Sequence, residues 1–97
     1  MNEPPTDNPI TLNTVIKITP TFRLQWEPAQ NAHVLLYPEG MVKLNPSAGE
    51  ILKHCDGARK VSQLVAELQT QFPGADLEAD VLKFLRVAHE QGWIKTV

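Results

Sequence analysis

The dipeptide Asn45-Pro46 divides the chain into two halves that obey different periods, and that division constrains the fold more than any other feature. Asparagine accepts hydrogen bonds from the free N–H groups that open a helix, and proline at the first helical position has no N–H to leave unpaired. Upstream of this point the period is two. Phe22, Leu24 and Trp26 alternate with Arg23, Gln25 and Glu27, which predicts a half-buried strand with the three apolar residues turned inward and Pro28 closing it. A second β-rich run, Ala32 to Tyr37, is followed by Pro38-Glu39-Gly40 and then by Met41, Val42, Lys43 and Leu44. Proline and glycine around a single residue predict a tight reversal. The three segments read as a three-stranded antiparallel meander.

Downstream the period is that of a helix. Ala48, Ile51, Leu52 and Cys55 share one face, and Gly57 after Asp56 is placed as a left-handed cap, so a first helix is expected from about Pro46 to Asp56. Val61, Leu64, Val65, Leu68 and Phe72 form a second stripe, stopped by Pro73-Gly74. A third helix is expected from near Asp76, its N-cap, to the cap Gly92, with Leu77, Val81, Phe84, Leu85 and Ala88 inward; Trp93 and Ile94 then close the core. Four of the eight prolines fall in the first twenty residues, where apolar side chains are too few to offset the entropy of ordering. Residues 1–20 are therefore expected as a flexible or loosely docked arm, and residues 21–97 as the domain. The expected architecture is α+β and winged-helix-like, with a three-stranded antiparallel sheet followed by three helices.

These 97 residues suffice for one domain with little room for a deep cavity. The net charge of -2, without a block of Lys and Arg, disfavours nucleic acid as a partner. Cys55 is the single cysteine and cannot form an internal disulfide; apolar runs such as Val34 to Leu36 are too short to cross a bilayer. The opening MNEPPTDNP has neither the basic nor the apolar region of a signal peptide, so a cytoplasmic location away from membranes is expected.

Candidates for catalysis are His33, His54, His89, Cys55 and the acidic residues, and none forms a recognisable constellation. His54, Cys55 and Asp56 are contiguous, and neighbours on a helix point about 100° apart, so they do not converge on one atom. Cys55 is expected in the core and His54 in solvent. There is no CxxC, HExxH, GxSxG or phosphate-binding glycine loop. No catalytic residue, metal ligand or cofactor site is assigned, and the chain is expected to bind rather than catalyse. A winged-helix DNA-binding regulator is the alternative, since such folds insert a helix in the major groove. Against it, the second helix exposes Ser62, Gln63, Glu67, Gln69, Thr70 and Gln71, with Arg59 and Lys60 only at its start. The third mixes Lys83 and Arg86 with Glu78, Asp80 and Glu90, which cancels most of a positive field.

Two features point to a protein partner. The third strand, Met41 to Leu44, is an edge with unpaired N–H and C=O groups and only Lys43 to discourage pairing, so it can accept an extended peptide. The arm or a second copy of the chain competes for that edge, the latter as a homodimer by strand or arm exchange. On the third helix Leu82 and Val87 flank the main stripe, and a helix flank beside an open edge would make a groove walled by Leu82, Arg86 and His89.

The ordered set Val34-Leu35-Leu36-Tyr37-Pro38-Glu39-Gly40, Leu44-Asn45, Glu50-Ile51-Leu52 and Cys55-Asp56-Gly57 resembles the pyrroloquinoline quinone (PQQ) biosynthesis protein D family. Arg23-Leu24, Asp80-Val81, Phe84-Leu85 and Gly92-Trp93-Ile94 support the match, which runs over about residues 20 to 95. That family is the free-standing form of the peptide-recognition domain in systems that modify ribosomally made peptides. The resemblance implies a winged-helix-like protein that binds the precursor peptide of PQQ and delivers it to a radical S-adenosylmethionine (SAM) enzyme, which joins a glutamate of the peptide to a tyrosine. It implies that the peptide lies along the third strand and against the third helix. By position, Met41, Val42, Lys43 and Leu44 would pair through the backbone, and Leu82, Leu85, Arg86 and His89 would supply side-chain contacts. The chain departs from the family pattern in Arg23-Leu24-Gln25-Trp26-Glu27, where an aspartate is common; Glu27 keeps the charge with a longer reach.

Overall fold

The structure, a computed structural model that describes residues 10–97, contains six strands and three helices. They are β1 (Val15–Ile18), β2 (Arg23–Glu27), β3 (Ala32–Tyr37), β4 (Gly40–Lys43), α1 (Pro46–Lys53), β5 (Asp56–Lys60), α2 (Val61–Gln71), α3 (Glu78–Glu90) and β6 (Ile94–Thr96). The expected meander is present as an antiparallel sheet in the order β2-β3-β4. Leu35 lies opposite Leu24 on one side and Val42 on the other, and this face turns to the core. Asn31, at φ 51°, takes the left-handed position in the turn between β2 and β3, a conformation asparagine tolerates better than most residues. Tyr37 pairs with Gly40 across Pro38-Glu39.

Trp26 departs from expectation. It is 50% exposed, its ring set edge-on to His33 with centroids 5.1 Å apart. The cause is the close seat of α1 on β3: a Cβ on Gly49 would fall 2.8 Å from His33 Nδ1. His33 fills that space, and Trp26 is left on the ring's edge.

The fold is α+β as expected, but the single sheet of the expected winged-helix-like arrangement is two sheets. The second has the order β5-β1-β6, with β1 antiparallel to both neighbours. The expected arm over residues 1–20 is corrected in part by this sheet; residues 1–9 lie outside the described residues. Ile10 and Ile16 are buried in the core, and Arg86 donates a hydrogen bond to the Ile10 carbonyl at 3.1 Å. The β-branched run Val15-Ile16-Lys17-Ile18 is ordered because partners on both sides satisfy its backbone, a gain its own apolar content does not reveal. Pro20 then occupies a turn closed by Phe22 N donating to Thr19 O at 2.8 Å.

Asn45 caps α1 as expected, its Oδ1 accepting from Ala48 N at 2.7 Å, with Pro46 at the first helical position. The helix ends at Lys53, earlier than expected, and Gly57 is not its cap. Asp56 Oδ1 instead accepts from Ala58 N and Arg59 N, which holds its carboxyl below the usual range and turns the chain into β5. Gly57, at φ 82°, serves the bulge where β5 passes β1. His54 is buried, not in solvent. Its Nδ1 donates to the Glu50 carbonyl at 2.8 Å, and Nε2 lies 3.4 Å from Glu67, which also pairs with Arg59 at 2.9 Å.

In α2 the residues Val61, Leu64, Val65 and Leu68 are buried as expected, whereas Phe72 caps the helix and is 48% exposed. α3 begins at Glu78 after Leu77, not at an Asp76 cap. Gln69 explains the shift, since its side chain accepts from Leu77 N at 2.8 Å and donates to the Ala75 carbonyl, bridging α2 to the connecting loop. The C-terminus of α3 is the expected glycine cap: Gly92 N donates to His89 O and Trp93 N to Ala88 O, the paired bonds of a Schellman motif. No helix among the described residues is long and apolar enough to cross a membrane.

Candidate functional site

Among the described residues the outer edge of β4 is open, and the ladder fixes which groups it offers. Val42 lies opposite Leu35, and Leu44 N donates to His33 O at 3.0 Å. Bonded and non-bonded pairs alternate along an antiparallel ladder, so the backbone groups of Val42 and Leu44 point to β3 and those of Met41 and Lys43 point away from it. Among the described residues no strand covers that side. Met41 is 47% exposed and Lys43 is exposed, while Val42 is half-buried and Leu44 belongs to the core. Of the four expected strand residues, two present the edge and two anchor it.

The family model described as Coenzyme PQQ synthesis protein D (PqqD) matches residues 32–94. The chain belongs to the PqqD family. Over 86 residues it is 57% identical to a PqqA binding protein of Azotobacter vinelandii, covering 88% of this chain and 94% of that one. A PqqA binding protein of Pseudomonas aeruginosa strain UCBPP-PA14 is 56% identical over 85 residues, covering 87% of this chain and 92% of its own length. Among solved structures, the PqqD truncation of Methylobacterium extorquens PqqCD superposes with a TM-score of 0.75 at 30% identity, covering 91% of this chain and 96% of that one. It is described as a functional, stand-alone recognition element for ribosomally synthesized and post-translationally modified peptides (RiPPs). The heterocyclase TruD matches with a TM-score of 0.67 at 27% identity over 87% of this chain and 12% of its own.

The PqqD match runs from the first residue of β3 to the first residue of β6, so it contains the open edge and all three helices. The helix residues expected at the site divide in a different way from the strand residues. Leu82 is half-buried against the core and His89 half-buried in the last turn of α3. Leu85 has no exposed surface. The Arg86 side chain is exposed in part but tied to the Ile10 carbonyl. α3 packs chiefly on α2 and β6 rather than on β4. The tie from Arg86 to Ile10 had no signal in the sequence, because Ile10 sits among prolines and polar residues.

Cys55 is buried, its thiol 3.5 Å from the Ile51 carbonyl, and burial followed by the neighbouring Asp56 charge pushes its pKa up to about 12. A thiol held protonated in this way is a poor nucleophile and a poor metal ligand. Among the described residues no three His, Cys, Asp or Glu side chains gather as a metal ion would require.

Proposed function

We propose that this chain is a peptide-binding adaptor that takes up a PqqA-type precursor peptide as an added strand on β4 and presents it to a radical SAM enzyme for Glu–Tyr cross-linking. The observation that carries the reading is the outward-facing N–H and C=O groups of Met41 and Lys43, on an edge that no strand among the described residues pairs with. Support comes from relatives named PqqA binding proteins and from a solved relative described as a RiPP recognition element.

Two outward residues offer up to four backbone hydrogen bonds, on the order of 2–6 kcal/mol before the cost of ordering the peptide. That is too little for tight binding by itself, so side chains must add the rest. In this proposal Met41, Leu82 and His89 touch the peptide, Arg86 meets an acidic group on it, and Leu85 supports the helix wall from beneath. The chain holds the substrate and the partner enzyme supplies the chemistry. The free Cys55 thiol fits a reducing cytoplasm as the place where this happens.

The test is an NMR titration of the full chain with a synthetic PqqA peptide. Amide shifts concentrated at Met41 to Leu44 and along α3 are expected; saturating peptide without them would sink the reading. Mass measured across protein concentrations separates peptide uptake from self-pairing of two β4 edges.

A further inference from the structure

A cavity of about 360 Å³ opens between the first turns of α1 and α3 and the last turn of α2. Ile51, Leu68, Leu77 and Val81 line it together with the half-exposed ring of Phe72. The two ionisable residues in the lining, Glu50 and Asp80, are both acidic. Lys53 pairs with Glu50 at 3.3 Å from outside the lining and offsets part of its charge, so Asp80 carries the larger share of the acidic field. The wall is preformed, because Gln69 fixes the loop between α2 and α3 through Leu77 N and the Ala75 carbonyl. Pro46 also lines the cavity and lies three residues past Lys43, the last residue of β4. Three residues of chain span at most about 10 Å, so the cavity begins within that reach of the open edge.

We infer that this cavity is an anchor subsite for the precursor peptide, taking an apolar side chain that is followed or preceded by a lysine or arginine. The inference rests on the adaptor reading above and adds to it a place and a side-chain chemistry. The volume is at the small end for ligand pockets, about 300–1,000 Å³, and suits one or two side chains. Two carboxylates beside an apolar lining attract a cationic neighbour and reject an acidic one, which is how a shallow site gains selectivity. A peptide pairing antiparallel with β4 passes Lys43 before Met41. Its anchor therefore lies roughly two to four residues N-terminal of the paired segment, given about 3.3 Å per extended residue. Recognition in this cavity comes from the start of α3, whereas Leu85 further along has no exposed surface.

The experiment is calorimetric titration of the full chain with a synthetic PqqA peptide, alongside amide NMR. Asp80→Lys and Phe72→Ser are each expected to weaken binding about tenfold, with wild-type-like free spectra and, at saturation, unchanged shifts at Met41 and Lys43. Replacing the basic residues of the peptide by glutamate one at a time should find one that matters to the wild type and whose glutamate form regains affinity for Asp80→Lys. Glu50→Gln repeats the electrostatic half of the test from α1 if Asp80→Lys fails to fold. Affinities equal to wild type with the edge shifts intact overturn the subsite and leave the adaptor standing. A wild-type chain that ignores the peptide overturns both. Variants that bind peptide normally but lose the radical SAM enzyme also overturn it, because the cavity then serves the enzyme.

Discussion

The two sheets have three strands each and are built in opposite ways. The β2-β3-β4 sheet pairs neighbours in the chain through short turns, and it ends in an edge that nothing among the described residues covers. The β5-β1-β6 sheet gathers strands that start at residues 15, 56 and 94, and its central strand is the earliest in sequence. Local turns can hold a sheet together while leaving a side of it free for a ligand. A sheet made of distant segments ties the fold together, because each strand joins parts of the chain that are far apart in sequence. Binding and stability should therefore separate between the two sheets, and substitutions can break that separation.

The largest effect is expected at Ile16, fully buried on β1. Ile16→Ala should cost about 2–5 kcal/mol in urea denaturation through lost burial and a cavity; a cost below about 1 kcal/mol would show that the long-range sheet does not carry the stability assigned to it. On the other sheet, Lys43→Pro removes an N–H that points away from β3, a place where an edge strand tolerates proline. Peptide affinity should fall about tenfold, equivalent to about 1.4 kcal/mol, while the urea midpoint barely moves. If folding and binding fall together, the two sheets are not separable.

Cys55 sharpens the stability side through pH. Its folded pKa of about 12 stands above the ordinary 9.0, so its contribution is complete below pH 9 and is lost as pH rises toward 12, when only the unfolded thiol ionises. Between pH 8 and pH 10 wild type should lose about 1.4 kcal/mol more than Cys55→Ala, read from paired denaturation curves. The smallest effect is expected where α1 meets β3. Gly49→Ala gains roughly 1 kcal/mol of helix propensity, but the clash with His33 costs about 1–3 kcal/mol, for a net loss near 1 kcal/mol. A stabilised Gly49→Ala would mean that His33 yields easily.

The contrast between the sheets also explains what the sequence made legible. The alternation at Phe22 and Leu24, the β-rich run Ala32 to Tyr37, the Asn45-Pro46 helix start and the Gly92 cap are local signals, and all are in the structure. β1, β5 and β6 are three to five residues long, and their partners are tens of residues away, so no local pattern announces them. Trp26 and Phe72 fit their stripes by spacing, yet each sits at the end of its element, where the covering layer stops. At the candidate site the edge was readable because free backbone follows from strand order. The surroundings of the helix residues were not, since a stripe reports a face and not the neighbour it meets: Leu85 faces the core and Arg86 reaches Ile10.

The hydrogen bond from Val97 N to Val15 O, with Ile10 held beneath Arg86, brings both ends of the described chain to the β5-β1-β6 side of the molecule. A tag, a surface tether or a whole enzyme joined at either end is thereby attached through a different sheet from the one that carries the open strand. Anything joined at these ends would leave the exposed side of β4 clear.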